Sequence, residues 1–197
     1  MPARRSLPTL RNAARSCQGC DLYLRATQTV FGLGAATSSI VLIGEQPGNE
    51  EDLKGQPFVG PAGAVLDRAL KEASIDRADT YITNVVKHFK FEERGKRRLH
   101  KKPLSSEVQA CLPWLEAEME LVKPRVMVCL GATAAQALLG AKFRLTEARG
   151  VVFSHALAPK VIATVHPSAI LRMPDSESRH QEYERFVADL KIVRSAI

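Results

Sequence analysis

The sequence predicts an α/β protein built on a central, mainly parallel four-stranded sheet, and three observations carry that reading. Short apolar or β-branched runs recur at residues 40–43, 80–86, 125–130 and 161–165. Segments with apolar residues at helical spacing separate them, the alternation of a doubly wound sheet. Polar turns follow the runs, most clearly Gly44-Glu45-Gln46-Pro47-Gly48. In an open α/β sheet, ligands sit at such carboxyl ends of strands.

Taken in order, residues 7–14 read as a short helix leading into the turn that carries Cys17 and Cys20. Ile40 to Ile43 are continuously apolar, as in a strand buried on both faces. A helix is expected over 62–73, where Val65, Leu66, Ala69, Leu70 and Ala73 share one face and Asp67, Arg68, Lys71 and Glu72 the other. The second strand spans 80–86, rich in β-branched and aromatic residues. Residues 87–103 read as a basic stretch without regular structure. Ser105 or Ser106 is then placed to cap a helix running to Leu121, with Glu107 in its first turn. The third strand, 125–130, leads into a helix over 131–139. The fourth, 161–165, meets His166-Pro167-Ser168, and a last helix covers 178–195. No internal repeat, low-complexity tract or linker divides the chain, so residues 1–197 are expected to form one domain.

Composition narrows the function classes. Apolar residues at 45% and charged residues at 25% match a soluble globular protein. No apolar run approaches the roughly 20 residues of a membrane span. The N-terminal Met-Pro-Ala-Arg-Arg-Ser lacks a signal-peptide core, so a cytoplasmic protein with no membrane partner is expected. A net charge of +7 points to an anionic partner.

The four cysteines do not suggest a disulfide framework in a reducing compartment. Cys17 and Cys20 form a C-x2-C pair, a spacing that lets two thiolates grip one metal centre. Cys111 near the start of a helix is placed to join them, whereas Cys129 lies in a core strand. Three thiolates need a fourth ligand from elsewhere. Three strand ends also bring polar residues to one side of the sheet: Glu45 and Gln46, Asn84, and His166. An Asn amide carries both a donor and an acceptor and suits the edge of a nucleobase. Phe58, in a second Gly/Pro-rich loop, offers a stacking face, and His166 a hydrogen bond to a leaving oxygen.

Gly-Glu-Gln-Pro-Gly (44–48), Gln-Pro-Phe-Val-Gly-Pro-Ala-Gly (56–63), Thr-Asn-Val-Val-Lys (83–87) and His-Pro-Ser (166–168) resemble, in order, the motifs of the uracil-DNA glycosylase superfamily, iron–sulfur type. The resemblance implies a uracil-DNA-glycosylase-like three-layer fold, acting as a monomer on uracil-containing DNA, single-stranded DNA being favoured because its bases are already unstacked. Lys96-Arg97-Arg98-Leu99-His100 is similar to the extra loop of the UdgX subgroup, where Ile stands in place of Leu99. That subgroup is known for a loop histidine that bonds covalently to DNA after uracil release; by position it is His100. A second departure is His88, where iron–sulfur glycosylases usually carry Cys after the Asn-x-x-Lys motif. The resemblance thus implies a 4Fe-4S cluster held by Cys17, Cys20, His88 and Cys111.

On this reading uracil stacks on Phe58, Asn84 reads its edge with Gln46 assisting, and Ser168 belongs to the same His-Pro-Ser motif. His166 stabilises the base anion and Glu45 the sugar cation. Lys96, Arg97 and Arg98, with Lys87, Lys90, Arg94, Lys101 and Lys102, concentrate charge suited to phosphates. The alternatives are a multiple-turnover glycosylase using water, with His100 only contacting phosphate, and a non-catalytic iron–sulfur protein that binds nucleic acid. A zinc site in place of the cluster also fits the cysteine spacing.

Overall fold

A computed structural model describes residues 6–197. In chain order the elements are α1 (Leu7–Ala14), β1 (Ile40–Gly44), α2 (Asn49–Lys54), α3 (Pro61–Glu72), β2 (Thr80–Asn84), β3 (Phe91–Arg94), β4 (Arg97–His100) and α4 (Ser105–Val122). There follow β5 (Val126–Leu130), α5 (Ala132–Leu139), α6 (Leu145–Ala148), β6 (Val152–His155), β7 (Ala158–Thr164), α7 (Pro167–Leu171) and α8 (Ser176–Ser195). The central sheet runs β2-β1-β5-β7-β6, parallel throughout except for the antiparallel β6–β7 pair. No helix among the described residues is long and apolar enough to cross a membrane.

The α/β class and the parallel core are as expected, but the sheet has five strands rather than four. The added edge strand β6 alternates exposed and half-buried residues, and its short apolar stretch is cut off by Ser154 and His155. The basic stretch is not structureless either: β3 and β4 pair as a hairpin, with Phe91 opposite His100 and Arg94 opposite Arg97. Its charged faces hide the period-two apolar pattern that marks a half-buried strand. The second strand stops at Asn84. Neither serine caps α4; Leu104 does, and the Glu107 carboxylate accepts its N–H at 2.6 Å.

Side-chain alternation along the strands builds the two faces of the sheet. Val41, Ile43, Tyr81, Met127, Cys129, Val161 and Ala163 pack on one side with Leu115 and Met119 of α4 and Ala134 and Ala135 of α5. Ile40, Leu42, Ile82, Val126, Val128 and Ile162 pack on the other with Leu66 and Leu70 of α3 and Phe186 and Leu190 of α8. The strands β1, β2 and β5 are buried at every position, so both faces need helices. α1 closes on α4 through Leu10, Ala14 and Ala117.

A buried ion pair ties the sheet to these layers. Lys87 Nζ lies 2.5 Å from Glu118 Oε2, the two side chains being 1% and 0% exposed. Lys87 also donates to Thr83 Oγ1 and to the Asn84 carbonyl, each at 2.7 Å. Glu118 accepts from Tyr81 Oη at 2.8 Å, from the Gly32 N–H at 3.0 Å and from Thr83 Oγ1 at 3.1 Å. Burial, then the neighbouring Glu118 charge, pushes the Tyr81 hydroxyl far above its ordinary pKa, so it stays a donor. Lys87 therefore belongs to the core and is no phosphate ligand. Glu118→Leu should cost about 3–5 kcal/mol by stranding the Lys87 charge. Lys87→Met added to it should recover most of that loss, both read from urea unfolding midpoints.

Candidate active site

A pocket of about 850 Å³ opens at the carboxyl ends of β1, β2, β5 and β7. It spans the β1–β5 junction, where the strand order reverses and the helices part. Glu45, Gln46, Phe58, Asn84, His100, His166 and Ser168 all line it. Residues drawn from five separate stretches of sequence thus share one cavity.

At the end of β1, Gly44 leaves room for the side chains beside it. A Cβ there would stand 2.3 Å from Asn84 Oδ1 and 2.8 Å from Phe58 Cζ. Asn84 is 2% exposed, and its Oδ1 is buried without a hydrogen-bond partner. Such an acceptor is costly unless a ligand supplies the donor. Phe58 is held with φ +54°, a left-handed backbone that bulky residues rarely adopt. Gly63 makes this possible, since a Cβ there would meet the Phe58 carbonyl oxygen at 1.9 Å. The Phe58 and His166 rings lie 5.6 Å apart at 31°, forming one wall.

His166 caps α7, and its Nδ1 accepts the Ser168 N–H at 3.2 Å while lying 2.8 Å from Ser168 Oγ. Arg172 donates to that same Oγ at 2.9 Å, which frees the hydroxyl proton for Nδ1. Two donors on Nδ1 leave the ring proton on Nε2. Burial, then the nearby Arg172 and His100, lower the His166 pKa to about 4. The group is thus a neutral imidazole with an N–H to give.

The hairpin brings His100 over the opposite wall, half-exposed, with Nε2 at 3.4 Å from Glu45 Oε1. Burial lowers its pKa and Arg172 adds to the effect, against an opposing pull from Glu45. Gln46 holds the hairpin in place. Its Oε1 accepts the Lys90 N–H at 3.0 Å, and its Nε2 faces the carbonyls of Lys101 (2.9 Å) and Lys90 (3.2 Å) and His100 Nε2 (2.8 Å). The Gln46 side chain is thereby committed to the hairpin, which leaves its backbone for the assisting role at a base. Glu45 Oε2 accepts from Thr133 Oγ1 at the start of α5.

Lys96, Arg97 and Arg98 of the hairpin do not share one role. Arg98 bonds Asp52 at 2.7 Å, Asn49 at 2.8 Å and Thr27 at 3.1 Å, and its guanidinium lies over the Phe91 ring at 5.0 Å. It anchors the hairpin to α2 instead of facing DNA. Lys96 and Arg97 are exposed at the turn. Thr133, Arg172 and Asp52 were not singled out in the sequence. An isolated Thr, an Arg in a surface turn and one Asp in an acidic run carry no local signal.

Behind β2, a second cavity gathers Cys17, Cys20, His88 and Cys111 with Trp114 and Lys87. Lys87 N–H donates to Cys111 Sγ at 3.3 Å and Trp114 Nε1 to Cys17 Sγ at 3.2 Å, bonds that suit sulfur carrying charge. Burial raises the pKa of Cys20 and pushes that of Cys111 up to about 11. Thr29 gives its hydroxyl proton to the Ala14 carbonyl, so at 2.9 Å it receives one from His88 Nε2. That leaves His88 Nδ1 with a lone pair, the form in which imidazole binds a metal. No three such side chains among the described residues converge on a single ion. Three cysteine sulfurs and an imidazole nitrogen line one cavity, a donor set that a cluster and zinc both accept.

The charge state of His166 is open to direct test. Its ring should titrate near pH 4, as the Nε2–H tautomer in 15N NMR. Between that value and about 6.5 the unfolded chain binds the proton and the folded one does not, so stability falls as pH drops through this window.

The family model described as "Uracil DNA glycosylase superfamily" matches residues 31–191. The type-4 uracil-DNA glycosylase of Thermotoga maritima is 41% identical over 84% of this chain and 83% of its own length. That of Archaeoglobus fulgidus is 35% identical over 94% and 93%, and that of Pyrobaculum aerophilum 33% over 89% and 90%. With the motifs assembled around one pocket and these relatives aligned along most of their length, the chain belongs to the uracil-DNA glycosylase superfamily.

Proposed function

We propose that this protein excises uracil from DNA and then captures the resulting sugar on His100, as the UdgX-like hairpin sequence implies. The observation that carries the second half is the approach of His100 Nε2 to within 3.4 Å of Glu45 Oε1 inside the pocket that holds Phe58, Asn84 and His166. Uracil stacks on Phe58, and Asn84, whose Oδ1 has no hydrogen-bond partner, reads its edge. Lys96 and Arg97 at the hairpin turn meet backbone phosphates. As the C1′–N1 bond breaks, its electron pair leaves with the base. His166, already neutral with its proton on Nε2, donates a hydrogen bond to the base oxygen that gains charge. The carboxylate of Glu45 stabilises the sugar cation.

His100 is suited to the next step because it is neutral. The Gln46 amide against Nε2 favours the tautomer that carries its proton on Nδ1. The Nε2 lone pair forms the bond to C1′, and the alkylated ring sheds its remaining Nδ1 proton to solvent. An oriented group reaches an effective molarity of about 10⁵–10⁸ M, above the tens of molar of water. Neutral imidazole leaves poorly, so the adduct persists and the protein acts once. A second reading, a multiple-turnover enzyme in which water attacks the sugar and His100 only contacts phosphate, is the one the names of the type-4 relatives favour. The two readings differ in the nucleophile and therefore in turnover.

Cys17, Cys20, His88 and Cys111 would hold a 4Fe-4S cluster, whose contribution is to pin the N-terminal segment and the root of the hairpin to α4. Iron content and broad visible absorption of the purified protein should be lost in Cys111→Ser. They should persist in His88→Cys, which restores the thiolate usual at that position.

Capture is read by mixing the protein with a single-stranded oligonucleotide bearing one uracil, heating in SDS and running a denaturing gel. A band at the summed mass should form with uracil and not with thymine. His100→Gly should abolish it while alkali-labile abasic DNA still accumulates. Free uracil exceeding the protein in molar amount would instead establish the water-using reading. Glu45→Gln should slow uracil release and crosslinking together, by about 10²-fold or more.

A further inference from the structure

The geometry points to Thr133 as a positioning residue for Glu45: its hydroxyl occupies Oε2 and so leaves Oε1 as the one oxygen that faces His100 and the sugar. This rests on the uracil-excising site proposed above and deepens it.

Four observations support the assignment. Each oxygen of the Glu45 carboxylate has its own neighbour, Thr133 for Oε2 and His100 for Oε1. Thr133 is 8% exposed and sits in the first turn of α5, where its β-branched side chain has few rotamers. The start of α5 is itself fixed. Gly131 takes φ +95°, its N–H donates to the Thr164 carbonyl at 2.8 Å, and a Cβ there would stand 3.1 Å from His166 Cβ. The Thr133–Glu45 bond also crosses from β1 to the helix after β5, bridging the junction where the pocket opens.

The chemistry follows from a single proton. A hydroxyl donating to a carboxylate stabilises the ionised form and fixes the plane of the group. Stabilising a sugar cation requires that ionised form. Other charged or titratable groups around the pocket are His100, Lys102, Glu50, Glu51, His166 and Arg172. The Thr133 hydroxyl is the donor to the Glu45 carboxylate.

The test follows single-turnover uracil release, the affinity for uracil-containing single-stranded DNA, and the 13C signal of the Glu45 carboxyl in the full chain without DNA, for the wild type, Thr133→Val and Thr133→Ser. Valine keeps the shape and removes the donor, whereas serine keeps the donor. Thr133→Val should slow uracil release about tenfold or more with affinity unchanged, because the carboxylate is no longer held in place. The Glu45 carboxyl signal should move as its hydrogen bond is lost, and Thr133→Ser should restore both. An unmoved carboxyl signal in Thr133→Val, or the same displacement in Thr133→Ser, overturns the assignment. A wild type that releases no uracil would overturn the excision reading instead, and the carboxyl signal would still decide the role of Thr133.

Discussion

The Lys87–Glu118 pair is the constraint on which the arrangement around β2 depends. A charge taken out of water is stable only when its partner and the remaining donors and acceptors are all in place. Lys87 meets Glu118, Thr83 and the Asn84 carbonyl, and Glu118 gathers donors from Gly32, Tyr81 and Thr83. These contacts fix the end of β2 against α4 and the N-terminal segment. Asn84 faces the pocket from one side of this end, and the Lys87 N–H faces Cys111 from the other. The candidate active site and the cysteine cavity are thus anchored by the same buried charges.

Around the pocket, rigid and adjustable parts are divided. Phe58, Asn84 and His166 stand on strand ends or in loops that glycines let pack closely. Hydrogen bonds on Nδ1 of His166 fix its proton on Nε2 before any ligand arrives. The hairpin is a separate body, joined through the Gln46 amide on one side and the Arg98–Asp52 pair on the other. Both joints are polar and partly buried, which gives them direction as well as strength. His100 is placed by these joints and not by the sheet. The precision of the proposed capture step therefore rests on hairpin anchoring.

Several parts of this were legible in the residues. The continuous apolar runs of β1 and β5 reported strands buried on both faces, and the spacing of Leu66, Ala69 and Leu70 reported the buried side of α3. The polar residues at strand ends reported the pocket, because a parallel sheet leaves ligands nowhere else to bind near its core. The hairpin was not legible, since Glu92, Glu93, Arg97 and Arg98 mask any alternation. Lys87 and Arg98 read as two positive charges among many. One proved to be a core residue and the other a structural anchor, because their carboxylate partners lie 31 and 46 residues away.

The sequence by itself determined the α/β class, the strand ends that meet at the pocket and the residue types gathered there, since periodicity and turn chemistry are local properties of the chain. Only the tertiary structure decided which charges pair, which way the Gln46 amide is committed and which oxygen of Glu45 stays open. Those outcomes depend on the distances between segments remote in sequence, and hydrogen bonds and ion pairs form or fail within about an ångström.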